Sequence, residues 1–135
     1  MAMGMPPIPV PRRPERPPDT PEELYDRLTV TDPAIGALWR HQSHVLGRYY
    51  EEHRRSSDVA LELPTGAGKT LVGLLIADWR RRVTRGPSAF LCPTRQLAHQ
   101  AHEKAVGYGL PAVLLTGPGR EWDAADETRG ADRSL

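Results

Sequence analysis

Residues 61 to 70 read LELPTGAGKT, and a stretch of this kind leaves few choices of local fold. Gly66 and Gly68 let the backbone approach a bound group closely, and Lys69-Thr70 opens a helix. Backbone N–H groups then converge where an anion can sit. Asp58 to Leu63, DVALEL, is a short apolar-rich run ending at Pro64, which suits a strand feeding the loop. From Lys69 to about Arg85 the chain is apolar nearly all round in its first half, as a helix packed on a sheet should be. Gly86-Pro87 stops it. The chemistry such a loop offers is that of a phosphate cradle: the Lys69 ammonium reaches β- and γ-phosphates, and the Thr70 hydroxyl takes one coordination position on Mg²⁺. The general pattern begins with a glycine five residues before Gly68, where this chain has Leu63.

The same alternation continues downstream. Ser88 to Cys92, SAFLC, reads as a second strand, Pro93 to Ala105 as the helix after it, and Ala112 to Thr116, AVLLT, as a third strand. Strands alternating with helices predict an α/β fold, a parallel sheet with flanking helices. Upstream, Thr20 caps a short helix with Pro21 in its first position and Glu23 completing a capping box. A second helix start lies at Asp32-Pro33, after which Ile35, Leu38, Val45, Leu46 and Tyr49 recur at helical spacing to about Tyr50. Gln42 lies on that stripe. Arg80, Arg81, Arg82 and Arg85 read as a solvated helix end favoured by the dipole rather than a nucleic-acid patch.

A length of 135 residues suits one domain. Residues 1 to 20 hold half of the fourteen prolines and little apolar bulk, so they read as a disordered proline-rich tail, with residues 21 to 135 forming the domain. The tail could also serve as a ligand for a proline-recognising adaptor. With 18 Lys+Arg against 17 Asp+Glu the net charge is +1, which excludes attraction to nucleic acid or membrane by a global field. The single cysteine, Cys92, excludes an internal disulfide and reads as a buried thiol. No apolar run approaches the roughly 20 residues of a membrane span, and a cytoplasmic protein is expected.

PTGAGKT, then a strand, then PTRQLAHQ resembles the first two motifs of superfamily-two helicases, in particular the DEAD/DEAH-box group and the helicase subunits of restriction enzymes. The likeness spans about residues 35 to 117. It implies a P-loop NTPase domain of the RecA-like kind, an ATP-Mg²⁺ cofactor held by Thr65, Gly66, Ala67, Gly68, Lys69 and Thr70, and a DNA or RNA partner. Lys69 and Thr70 would also carry the catalytic roles, with Thr70 the Mg²⁺ ligand. Pro93, Thr94 and Arg95 match the segment that grips a nucleic-acid backbone, with Gln96 where glutamate is commoner. Thr94 and Arg95 lie where amides, a hydroxyl and a guanidinium can face one phosphate; alternatively Thr94 caps the helix and Arg95 pairs with a carboxylate. Thr116 and Gly117 resemble a further contact to the strand.

LWRHQ resembles the family's adenine-reading element, with Gln42 as the reader, because a carboxamide can give and accept one hydrogen bond each at a base edge. A buried glutamine satisfied by backbone is the other reading. Trp39 stands where the family usually has arginine, and Arg40 where proline is frequent. His99 and His102, three apart on one helix, find no third metal ligand of suitable spacing and read as solvated.

Hydrolysis in the family needs an Asp-Glu at the end of a further apolar strand and arginines from a second motor domain, one such arginine being worth roughly 10³ to 10⁵ in rate. Asp126-Glu127 has the letters without the strand. The sequence therefore reads as a motor domain truncated before the Walker B strand, able to bind ATP and to touch nucleic acid but not to hydrolyse or unwind alone. A non-catalytic interaction protein built on a helicase remnant is the alternative. A small P-loop kinase would need a phosphate-acceptor site and an arginine-bearing lid, and PTRQLA argues against it.

Overall fold

The computed structural model describes residues 16–31 and 33–117, and its regular structure is helical. The elements are α1 (Pro21–Asp26), α2 (Arg40–Arg48) running directly into a π-helical turn (Tyr49–His53), α3 (Lys69–Thr84) and α4 (Arg95–Gly107). The proline-rich stretch 1–15 and the Asp126-Glu127 pair lie outside the described residues.

Each start has a local cause. Thr20 Oγ1 accepts from the Glu23 amide at 3.0 Å, Pro21 takes the first position, and the Glu23 carboxylate reaches back to the Asp19 amide at 2.6 Å. Helix α2 begins at Arg40, several residues later than the apolar spacing predicts. There the Gln42 carboxamide turns back to accept from the Trp39 amide at 2.9 Å, closing the first turn. Ahead of it, the Tyr25 hydroxyl donates to the Gly36 carbonyl and fixes the approach from α1. Helix α4 starts on Thr94, whose Oγ1 accepts from the Leu97 amide at 3.2 Å.

Helix α3 runs through the core. Leu71, Val72, Leu75 and Trp79 pack with Leu24 and Tyr25 of α1, Leu46 of α2 and Tyr49 of the π-helical turn. The wider turn brings two consecutive tyrosines to Trp79, with ring centroids 6.2 Å (Tyr49) and 5.7 Å (Tyr50) away in edge-on geometry. The indole N–H donates to the Pro18 carbonyl at 3.2 Å, and Pro18 is itself buried, so residues 16–19 form a strap over this end of α3. A smaller cluster of Leu74, Ala105 and Leu110 joins α3 to α4. Where α4 ends, Gly109 adopts φ 75° and the Thr29 carbonyl lies against its α-carbon, a space that any side chain would fill. The Thr31 amide seals this junction by donating to the Gly107 carbonyl at 3.1 Å.

Of the four arginines expected as a solvated end of α3, Arg85 is exposed as expected, whereas Arg80, Arg81 and Arg82 are half-buried and bonded. Arg80 donates from Nε to the Tyr49 hydroxyl at 2.8 Å and from Nη2 to the Ser56 carbonyl at 2.9 Å. Arg81 and Arg82 both hold the buried Asp78 carboxylate, at 2.8 and 2.7 Å. Cys92 is half-buried rather than enclosed.

The parallel α/β sheet of a RecA-like domain, which the alternating pattern predicts, is absent among the described residues. Among the described residues, Asp58–Leu63, Ser88–Cys92 and Ala112–Thr116 form no strand and share no backbone ladder. The reason is physical: a residue's preference for extended backbone is local, whereas a strand exists only through the N–H and C=O groups of a neighbour. Parallel pairing further requires both faces to be covered, and here the helices pack on one another. Of these segments only Leu63 enters the main core as a fully buried side chain, while Leu91 is 90% exposed.

Two expectations follow. Leu75 has no exposure, so Leu75→Ala costs about 2–5 kcal/mol, read as a fall in the urea midpoint. Glu23 has a pKa below its ordinary 4.5, held there first by the Asp19 amide and then by Arg27. A depressed carboxylate stabilises above that ordinary value and loses its contribution as pH falls through the lower folded value. Acid titrations monitored by helix content should therefore show a shallower loss below pH 4.5 in Glu23→Gln than in the parent chain.

Candidate functional site

The phosphate loop is shaped by two left-handed glycines. Gly66 has φ 80° and Gly68 φ 73°, a region where side-chain-bearing residues are strained. Between them the Ala67 amide donates to the Pro64 carbonyl at 3.2 Å, closing a tight turn. Leu63 and Ala67 are both buried in the main core and pin the loop at two points. Leu63 thus takes up a packing role where the general pattern has a glycine.

Gly68 is the N-cap of α3 and supplies no side chain to it. The Leu71 and Val72 amides return to the Gly68 carbonyl at 3.1 and 3.3 Å. The Lys69 and Thr70 amides have no protein acceptor among the described residues, which leaves the positive end of a 16-residue helix available to an anion. Lys69 is exposed and joins no ion pair among the described residues. Thr70 is half-buried beside it, and Thr65 stands exposed at the turn.

Gln42 comes to this loop from α2. It is 5% exposed, and its carboxamide is engaged at both ends: Oε1 accepts from the Trp39 amide at 2.9 Å, and Nε2 donates to the Ala67 carbonyl at 3.2 Å. The amide nitrogen sits so close to Gly68 that a side chain there would overlap it. Gln42 is a buried glutamine satisfied by backbone, and the backbone it satisfies is the loop itself. His41, which motif reasoning passes over, reaches the same oxygen: its Nε2 lies 2.9 Å from Ala67 O, and since a carbonyl only accepts, Nε2 carries the proton. Trp39 covers the imidazole, with ring centroids 5.4 Å apart, and remains 57% exposed. The only sequence signal for His41 is adjacency to Gln42, because a lone histidine has no spacing to recognise.

At the second candidate locus, the Thr94 hydroxyl oxygen is used in capping α4, whereas Arg95 is exposed at the first helical position and pairs with no carboxylate among the described residues. Thr116 and Gly117 are half-buried at the end of the segment expected as the third strand, Gly117 with φ 101°. No hydrogen bond among the described residues links them to Thr94 or Arg95. His99 and His102 lie on α4, and no group of three or more His, Cys, Asp or Glu is placed to hold a metal among the described residues. No helix of the described residues is long and apolar enough to cross a membrane. A surface cavity of about 480 Å³ lies by Pro18, Tyr50, Arg54 and Trp79 near the strap.

No curated protein and no solved structure matches the chain. A family model described as DEAD/DEAH box helicase matches residues 39–128. Its span opens on the residue that caps α2 and takes in Gln42, the whole phosphate loop and the start of α4. Covering more than half of the sequence, this match shows that the chain belongs to the DEAD/DEAH box helicase family, whose function is helicase-related, with nucleotide and nucleic acid as its ligands.

Proposed function

We propose that the chain supplies the ATP-binding part of a DEAD/DEAH-box helicase or translocase motor, and that by itself it binds nucleotide without turning it over. The observation that carries this reading is the start of α3 without a side-chain cap, reached through two left-handed glycines and opened by a lysine that joins no ion pair among the described residues. Anions are stabilised at such a helix end by oriented amides and the dipole together.

The residues present suit ATP-Mg²⁺ as the ligand. The Gly66, Gly68, Lys69 and Thr70 amides would surround the β-phosphate, the Lys69 ammonium would neutralise β- and γ-oxygens, and the Thr70 hydroxyl would take one position on Mg²⁺. Bound in this way the metal would supply charge neutralisation along the phosphate chain. Gln42 would face the adenine edge with whatever hydrogen-bonding capacity its contacts to Trp39 and Ala67 leave over: one N–H and one lone pair. Arg95 would meet a nucleic-acid phosphate as an exposed guanidinium at a helix start, with Thr94, Thr116 and Gly117 beside the same strand. Turnover is assigned to a larger assembly, since in-line attack needs a carboxylate to hold metal and water and an arginine from outside the loop.

The test is calorimetric titration of the chain with ATP and Mg²⁺. Saturable binding is expected, weakened about 10- to 100-fold in Lys69→Ala, the range for removing a charge-assisted contact. Phosphate release by the isolated chain should equal the buffer rate. Saturable binding that Lys69→Ala leaves intact contradicts the site, and hydrolysis above background contradicts the division of labour.

A further inference from the structure

The geometry points to His41 as a positioning residue of the phosphate loop, one that keeps the Ala67 carbonyl turned away from the ligand when Gln42 is drawn toward a base. The inference rests on the nucleotide reading and deepens it.

A loop that cradles phosphate with amides has to dispose of its carbonyls, because an oxygen facing the anion repels it. Ala67 is the residue between the two left-handed glycines, and its carbonyl receives two donors from adjacent residues, His41 Nε2 at 2.9 Å and Gln42 Nε2 at 3.2 Å. Two donors fill both lone pairs of a carbonyl oxygen. The two are not equivalent. Gln42 is buried and its carboxamide is engaged at both ends, so any approach to an adenine edge competes with its grip on Ala67 and Trp39. His41 carries no such conflict. Its ring is held from the side by Trp39, and the bond to Ala67 is its one hydrogen bond among the described residues.

The division of roles is therefore specific. Gln42 is shared between loop and base, while His41 serves the loop alone. Loss of His41 should weaken every ligand that uses the phosphate seat, base or no base. Loss of Gln42 should weaken ATP more than a ligand lacking adenine.

The experiment compares ATP with inorganic tripolyphosphate, both with Mg²⁺, on the full chain and on His41→Ala, His41→Gln, Gln42→Ala and the double alanine variant. Circular dichroism melting confirms folding of each. His41→Ala is expected to lower affinity for both ligands about three- to tenfold with their ratio kept, the range for one lost hydrogen bond. His41→Gln, whose Nε2 can reach the same oxygen, should restore most of it. In the double variant the loss for tripolyphosphate should exceed the product of the single losses, because each donor covers for the other. Unchanged tripolyphosphate affinity in His41→Ala and in the double variant overturns the proposal, as does a loss confined to ATP. Binding of neither ligand by the parent chain overturns the nucleotide reading alone. Exchange of the Ala67 amide in the ligand-free chain then decides the latch: faster exchange in His41→Ala supports it and equal exchange refutes it.

Discussion

One carbonyl oxygen organises this molecule's functional end. Ala67 lies between two glycines whose backbone is left-handed, in a loop with little rigidity of its own, and its side chain and carbonyl are both held by the rest of the protein. The methyl group enters the core beside Leu71 and Leu63, and the oxygen is taken by His41 and Gln42. A loop with two glycines has much backbone entropy to lose, and these anchors are what fix it. With the carbonyl fixed, the amides that follow are left at the start of α3, the end of a helix that favours negative charge.

The loop's position depends on how α3 is held. The helix is gripped on several sides: by α1 and α2 through Leu24, Tyr25 and Leu46, by the π-helical turn through Tyr49 and Tyr50, and by α4 through Leu74 and Ala105. Its polar ties are concentrated toward the other end, where Asp78 holds two arginines and Arg80 bridges to Tyr49 and Ser56. Apolar burial sets the depth of the helix, and the two Arg80 bonds tie it to its neighbours, whereas the Asp78 pairs lie within the helix itself. Family membership is legible in the same residues, since the match opens at Trp39 and runs through the loop that α3 presents.

The helical part of this structure was largely written in the sequence. The sequence predicts a helix from Lys69 to about Arg85 and Lys69–Thr84 forms one; it predicts Thr20 as a cap and offers capping as the second reading of Thr94, and both accept the amide three residues on. Capping and glycine conformation are local, so residue identity is enough to read them. The sheet was not legible in this way. DVALEL, SAFLC and AVLLT carry strand-forming residues, but pairing is a property of two segments, and here Phe90 lies against Gly73 of α3, 2.8 Å from where a β-carbon would stand. At the site, the glycines, lysine and threonine announced themselves by spacing. His41 did not, because its role depends on a carbonyl 26 positions away. The double engagement of Gln42 was equally hidden: burial of its stripe was readable, but the identity of the atoms it would satisfy was not.

The strap over Trp79 has an optical consequence. The indole sits ten residues along α3 from Lys69, about 15 Å at a rise of 1.5 Å per residue, with its N–H on the Pro18 carbonyl and two tyrosine rings against it. An α-helix transmits displacement along its axis with little compression, so a shift at the cradle end alters the polarity around a chromophore at the far end. Trp79 is one of three tryptophans in the chain, and its share of the emission would report the position of α3 while Trp39, beside His41, would report the loop directly.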